Sequence, residues 1–321
     1  MKQKLSILMI GHFGAPFSTE NDYAWTYDHL GHDVMRAEES GVDTDTMIEA
    51  GLKADLVHYV HSHGVNTPGE KTVQEMLDTF KAKGIPTIGV HLDYWRGLER
   101  EKDVGTHPWW HTDYTFTADG GSHEWYREKS INHYYLKAGV VERDVVLGTK
   151  RPEFEHDVIF VGSKGYHDEW AYRPKLVNWL QETYGDRFAH YGGDGLGTMR
   201  GMALNDLYAS AKVVVGDTLC LGFSHPNYYS DRVFETTGRG GFIIHPYIKG
   251  IEDDFDLGRE LITYDYDDFD GLKGRVDYYI EHNEEREKIR TAGFQRTKHD
   301  HTYTLRVKEM LSILEKDGRL S

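Results

Sequence analysis

Cysteine occurs once in 321 residues, at Cys220. That excludes an intramolecular disulfide framework and fits a reducing compartment. Positive charge is scarce as well: 37 Lys and Arg stand against 53 Asp and Glu, a net charge of -16. A broad footprint on DNA or on an anionic membrane needs clustered positive charge, so this balance disfavours both. Long hydrophobic runs are missing. The apolar stretch from Leu5 to Ile10 is too short for a signal core or a membrane span, so a cytoplasmic protein is expected. Two nucleotide-binding signatures are also lacking. There is no G-x-x-x-x-G-K-[ST] run, and no G-x-G-x-x-G follows the first strand, which weighs against a nicotinamide-dependent dehydrogenase.

What is present reads as a globular α/β chain. Hydrophobic residues make up 39% and charged residues 28%, neither disordered nor fibrous, and the length suits two domains with separate cores. Short apolar runs alternate with helix-like segments. Leu5-Ser6-Ile7-Leu8-Met9-Ile10-Gly11 reads as a buried parallel strand, and Asp33–Ala37, Asp55–His61 and Ile85–His91 follow the same pattern. Helical patterns over Ala24–Leu30, Thr44–Gly51 and Thr72–Lys83 separate them. Repeated strand–helix units without a sequence repeat predict a doubly wound sheet. In such a sheet the loops at the carboxyl ends of strands line the ligand crevice. His12 lies in the first of these loops, where it is either a general base, a donor to substrate hydroxyls, or a cap for the next helix.

His58, His61 and His63 cluster around the third strand, yet His58 opposes the other two and no Cys or carboxylate completes a set. A polar strand end is the reading, and no metal is expected. The next strand runs into His91-Leu92-Asp93-Tyr94-Trp95. There Asp93 is a candidate acid/base or hydroxyl acceptor, or caps a turn, and Tyr94 and Trp95 suit stacking on a sugar ring or plain packing.

Gly148–Phe154 is polar with Gly and Pro, a candidate interdomain linker. It predicts domains at 1–150 and 151–300, with 301–321 as a closing helix. Asp157–Ser163 restarts the pattern. Gly162 and Ser163 allow backbone to approach a phosphate and Lys164 supplies charge, while Arg173 serves the same phosphates or is a surface arginine. Further on, Val233 and Phe234 lie in a helix-compatible run that Gly238, Gly240 and Gly241 stop, before the strand-like Phe242-Ile243-Ile244. Arg232 and Glu235, at i,i+3, share a helix face. Ser230 or Asp231 is the expected cap of that helix, whose N-terminus favours an anion. An anion beside a carboxylate that accepts hydroxyls is the charge pattern of a nucleoside diphosphate.

The run Arg232-Val233-Phe234-Glu235-Thr236-Thr237-Gly238-Arg239-Gly240-Gly241 resembles the R-x-F-E-x-x-x-x-G segment of group 1 (family 4-like) glycosyltransferases, nearest to the spore-maturation-type branch. The likeness continues through Gly250–Phe255 and Tyr278–Arg286 to His301-Thr302-Tyr303-Thr304-Leu305-Arg306, and covers most of 157–314. It implies a GT-B fold, two Rossmann-like domains facing across a cleft. The second would hold a nucleotide-diphosphate sugar, UDP- or GDP-linked, with no further cofactor and no metal.

By that resemblance Glu235 takes the ribose hydroxyls, and Arg232 with the Gly162-Ser163-Lys164 turn takes the diphosphate. His91 faces the transferred sugar, and the final helix braces the first domain through Val307, Met310, Leu311 and Leu314. The chain departs from the pattern at Asn227, eight residues before Glu235, where many relatives carry a second Glu. The expected activity is transfer of a sugar to a hydroxyl acceptor of unspecified class. A glycosyltransferase acting on DNA bases and an inactive binding fold are the alternatives, the first opposed by the net charge.

Overall fold

The computed structural model describes residues 4–60, 65–165, 170–219 and 226–320. Cys220, His61, His63 and residues 222–225 lie outside them. The chain divides into two compact units, residues 1–137 with 303–321, and residues 138–302.

In the first unit six strands alternate with helices: β1 (Ser6–Gly11), α1 (Thr19–His29), β2 (Asp33–Glu38), α2 (Thr44–Gly51), β3 (Leu56–Tyr59), α3 (Val73–Ala82), β4 (Thr87–His91), β5 (Tyr114–Thr117), α4 (His123–Glu128) and β6 (His133–Tyr135). Their order in the sheet is β2-β1-β3-β4-β5-β6, every pairing parallel. Helix starts follow local chemistry. Ser18 caps α1 by accepting from Asn21 N–H at 3.2 Å, and Asp43 caps α2 through Thr46 N–H at 2.8 Å. Thr72 and Glu75 form a reciprocal capping box on α3. Buried strand residues Leu8, Ile10, Val57 and Tyr59 pack with Met47, Phe80 and Trp110 into one core. Each such side chain contributes about 1.5–3 kcal/mol on burial.

The second unit holds β7 (Val158–Val161), α5 (Tyr172–Tyr184), β8 (Phe188–Tyr191), α6 (Gly201–Ser210), β9 (Val213–Val215), α7 (Arg232–Gly238), β10 (Ile243–Pro246), β11 (Ile262–Tyr264), α8 (Phe269–Glu281) and α9 (Asn283–Asp300). Its sheet runs β11-β10-β9-β7-β8, again parallel. Chain order reverses between β7 and β9, as it does between β1 and β3 in the first sheet. In open α/β sheets such a reversal opens a crevice at the carboxyl ends of the two strands.

The last helix, α10 (Tyr303–Lys316), belongs to the first unit. Val307, Met310, Leu311 and Leu314 are buried, the Tyr303 ring lies 4.8 Å from Tyr23, and Tyr114 donates to Asp317 at 2.9 Å. Residues 138–150, read from sequence as the end of the first domain, lie with the second unit, so the division precedes the polar stretch taken for a linker. The reason is a set of backbone contacts. Val140 bridges to Thr302, and Asn205 Nδ2 donates to the carbonyls of Asp144 and Val146 at 2.9 and 2.6 Å. Thr149 N–H donates to Asp206 at 2.7 Å.

Gly148 packs so tightly that a Cβ there would lie 2.1 Å from the Asn205 carbonyl oxygen. Gly148→Ala is therefore expected to cost about 1–3 kcal/mol through forced backbone displacement. Gly274→Ala, on the exposed side of α8 with nothing within 4 Å of the new Cβ, is expected to stabilise by about 0.5–1 kcal/mol. Urea unfolding of the two variants checks both signs.

Candidate functional site

At the reversal in the second sheet, β7 is followed by Gly162-Ser163 and β9 by Gly216-Asp217. Two arginines converge there from different helices. Arg232 opens α7, and its Nε donates to the Val161 carbonyl and its Nη1 to the Asp217 carbonyl, each at 2.9 Å. Its guanidinium lies 5.2 Å from the Phe160 ring centroid. Gly162, at φ +137°, admits this approach: a Cβ would lie 2.5 Å from Arg232 Nη2. Arg173, in the first turn of α5, places Nε 2.6 Å from Asp217 Oδ2 and Nη1 3.3 Å from the Ser163 carbonyl.

Asp217 is fully buried, and its pKa is raised by burial against the opposing pull of Arg173. Burial and the neighbouring Arg173 lower that of Arg232, with Asp217 working against them. Behind them His245 is buried, donates from Nδ1–H to the Pro246 carbonyl at 2.8 Å, and is pushed by burial down to about 3, so it is neutral. Asp231 also acts on Arg232 and, like Asp217, favours its charged form. The two guanidiniums are the groups here that could pair with an anion.

The remaining residues expected at the donor site take more specific roles. Glu235 lies one turn along α7, but its Oε2 is bound to Arg239 Nε at 2.6 Å. Arg239 also reaches Asp144 Oδ2 at 2.5 Å and Asn205 Oδ1 at 2.7 Å. Burial raises the Glu235 pKa while Arg239 opposes it. A ribose hydroxyl would therefore meet a carboxylate whose position Arg239 already fixes.

The expected capping of α7 differs. Asp231 stands at the cap in a right-handed helical conformation with no side-chain bond to the helix N–H groups, and Ser230 Oγ accepts from Arg232 N–H at 3.2 Å. With only seven residues, α7 offers little as a helix terminus, and the guanidiniums are the stronger candidates for meeting an anion. Asn227 adopts φ +60°, which Asn tolerates, and its side-chain oxygen rests against Gly250, where a Cβ would come within 1.8 Å. It shapes the 227–250 loop contact.

The turn after β7 holds an anion of the chain's own. Asp194 accepts from Lys164 N–H at 2.9 Å and from Gly165 N–H at 3.4 Å. Partial burial raises its pKa, but these bonds prevail and hold it low. Lys164 Nζ turns to Asn178 at 3.4 Å. The backbone donors expected to meet a phosphate are thus engaged by Asp194.

In the first unit His12 sits at the β1/β3 reversal, with Nδ1 2.9 Å from Glu38 Oε1. Its pKa is raised by that bond, against a small desolvation effect. His91 ends β4 but is buried against Trp109 and Trp110, ring centroids 4.5 and 4.3 Å away, with Trp95 beside them. Those tryptophans give it a packed setting. Trp95 is likewise a core residue and Tyr94 is fully buried. Asp93 is exposed and pairs with Arg100 at 3.2 Å. His58 bonds Tyr27 at 3.1 Å inside the core, and burial lowers its pKa to about 3. Among the described residues no cluster of His, Cys, Asp and Glu has metal-holding geometry, and no helix is long and apolar enough to cross a membrane.

Asp217, Arg239 and Asp144 were not singled out in the sequence. Only Asp217 carried a signal: it follows an apolar strand and a glycine, as Ser163 does.

The family described as "glycosyl transferase-like" matches residues 172–312. No curated protein matches the sequence. Among solved structures the chain is similar to Anabaena HepE in complex with UDP-glucose, at TM-score 0.66 and 10% identity over 97% of this chain and 100% of that one. An α-glucosyltransferase in complex with UDP gives 0.63 and 9% over 97% and 100%, and is also seen with UDP and a 13-mer DNA. Sucrose-phosphate synthase from Thermosynechococcus elongatus gives 0.58 and 11% over 98% and 99%. At this identity the likeness shows the fold, which is GT-B with two Rossmann-like parallel sheets.

Proposed function

We propose that the protein is a glycosyltransferase that moves a sugar from a nucleoside-diphosphate sugar, most simply a UDP-sugar, to a hydroxyl acceptor. The observation that carries this reading is the convergence of Arg173 and Arg232 on Asp217 at the β7/β9 reversal. The diphosphate lies across the carboxyl ends of β7 and β9, with Arg232 and Arg173 on its oxygens. Glu235, held by Arg239, accepts from the ribose hydroxyls.

As the bond between sugar and phosphate breaks, negative charge grows on the leaving diphosphate. Guanidiniums already fixed in place stabilise it without reorganising. They supply the charge a divalent cation would otherwise provide, so the reaction proposed is metal-independent. Asp194 leaves the turn N–H groups when a phosphate reaches them. The acceptor belongs to the first unit, where His12 and Asp93 are polar groups at strand ends.

Uridine is chosen over guanosine because HepE and the α-glucosyltransferase are both seen with UDP. The run from Arg232 to Gly241 is the support for assigning the protein to the spore-maturation-type branch. The DNA-bound neighbour favours a second reading, a DNA glycosyltransferase. A net charge of -16 opposes it. Salt-sensitive binding to duplex DNA would restore it.

UDP is expected to raise the thermal midpoint, and at one hundred times its dissociation constant to add about 2.7 kcal/mol. Arg232→Ala and Glu235→Ala are expected to lose most of that shift, and to abolish release of UDP from the UDP-sugar in a turnover assay. A nucleotide panel that stabilises neither wild type nor variants would overturn the reading. Separately, Asp217→Asn leaves Arg173 buried without its counter-charge and is expected to cost about 3–5 kcal/mol in urea unfolding. The double variant Arg173→Met/Asp217→Asn is expected to recover part of it.

A further inference from the structure

The charges at the β7/β9 reversal are balanced before a ligand arrives. Arg173 and Arg232 stand against two carboxylates: Asp217, 2.6 Å from Arg173 Nε, and Asp231, which is exposed and acts on Arg232. The diphosphate of a nucleotide sugar is esterified at both ends and carries two negative charges. Its arrival leaves the cluster with that much negative charge in excess. Charge brought into a buried place is offset by a counter-charge or by a proton.

Asp217 is where the excess weighs most. It is fully buried, whereas Asp231 meets water, which screens its charge. Its Oδ2 is bonded to Arg173, and its Oδ1 is buried with no hydrogen-bond partner among the described residues. Trp170, Tyr172 and Arg173 lie around it at the start of α5, Arg232 on α7, His245 on β10, and Tyr264 and Tyr266 at the end of β11. The Tyr172 and Tyr264 hydroxyls bond each other at 2.9 Å, and burial raises both pKa values, so neither carries charge. Desolvation raises Tyr266 as well, and His245 is neutral with a pKa of about 3. The two guanidiniums are thus the positive groups that act on Asp217.

A diphosphate on those guanidiniums changes both sides of the balance. It draws on the charge that keeps Asp217 ionised, and it adds like charge beside the carboxylate. Both effects favour the neutral carboxyl. Burial already raises the Asp217 pKa against the pull of Arg173, and the ligand acts in the same direction.

We propose that Asp217 takes up a proton when the diphosphate binds, so that it is ionised in the free protein and neutral in the nucleotide-sugar complex. This rests on the donor reading above. One O–H bond forms on the carboxyl, the proton comes from solvent, and no other bond changes. Once neutral, Asp217 no longer competes for Arg173, and both guanidiniums direct their charge at the leaving diphosphate. Because the bound pKa exceeds the free one, the complex holds the extra proton between the two values. Affinity there rises as pH falls, about tenfold per pH unit for one proton. Below the free pKa both forms are protonated and above the bound pKa neither is, so the dependence ends on either side.

The test uses the full chain labelled with 13C and 15N, in EDTA, with UDP-glucose and UDP as probes. The Asp217 carboxyl resonance, assigned through its own backbone, is titrated with pH in the free chain and with each probe at saturation. Its midpoint is expected to move up by about one pH unit or more on binding. Calorimetry of UDP-glucose in two buffers of different ionisation enthalpy is expected to report proton uptake. UDP-glucose serves there because the terminal phosphate of UDP titrates at about pH 6 on its own. Asp217→Asn, neutral like the protonated carboxyl, is expected to abolish the uptake; where it does not fold, the wild-type carboxyl titration decides. A midpoint that a bound probe leaves unmoved overturns the proposal and spares the donor reading. Uptake that survives in Asp217→Asn does the same, because it puts the proton elsewhere, as on His190 or His245. If neither probe binds, the donor reading fails and this inference falls with it.

Discussion

A carboxylate buried between two guanidiniums fixes the architecture of the second unit. Asp217 has no access to water, and a lone carboxylate in that position would carry a desolvation cost of several kcal/mol. Arg173 compensates through its side chain and Arg232 through the Asp217 carbonyl. The same arginines hold the carbonyls of Ser163 and Val161. One ionic cluster therefore joins β7, β9, α5 and α7 at the point where strand order reverses. The same guanidiniums are the groups proposed to meet the diphosphate.

The Glu235–Arg239–Asp144 chain has a similar logic. Arg239 is nearly buried and binds two carboxylates and the Asn205 side-chain oxygen, so it does not act as a mobile surface charge. It ties residues 138–150 to the second unit and orients the carboxylate proposed for the ribose. Asp194 differs from these. It lies at the surface of the turn after β7, bonded to backbone N–H groups, and would compete with a phosphate that reached them.

Much of the fold was legible because parallel strands buried on both faces leave short apolar runs ending in glycine, as Gly11 and Gly162 do. The helices declared themselves by caps such as Thr72 with Glu75. The site was legible only where its residues follow strand ends or share a helix face. Arg232 and Glu235 are three residues apart. Arg173 and Asp217 are 44 apart and Arg239 and Asp144 are 95 apart, separations that no local pattern encodes. Lys164 looked free to meet a phosphate because Asp194, 30 residues on, is not visible beside it in the sequence. His91 shows the opposite case: a strand-end histidine suggests a crevice, and Trp109 and Trp110 surround it instead. The stretch from Gly148 has linker composition, yet Gly148 lies against the backbone of Asn205.

The central claim is that a diphosphate occupies the carboxyl ends of β7 and β9. The most direct measurement is the amide chemical shift of Lys164 and Gly165 as UDP is added, with uridine as the control. The account predicts that UDP moves both amides, because the diphosphate displaces Asp194 from them, and that uridine leaves them unmoved. Equal shifts with uridine, or UDP binding that leaves both amides in place, would contradict it.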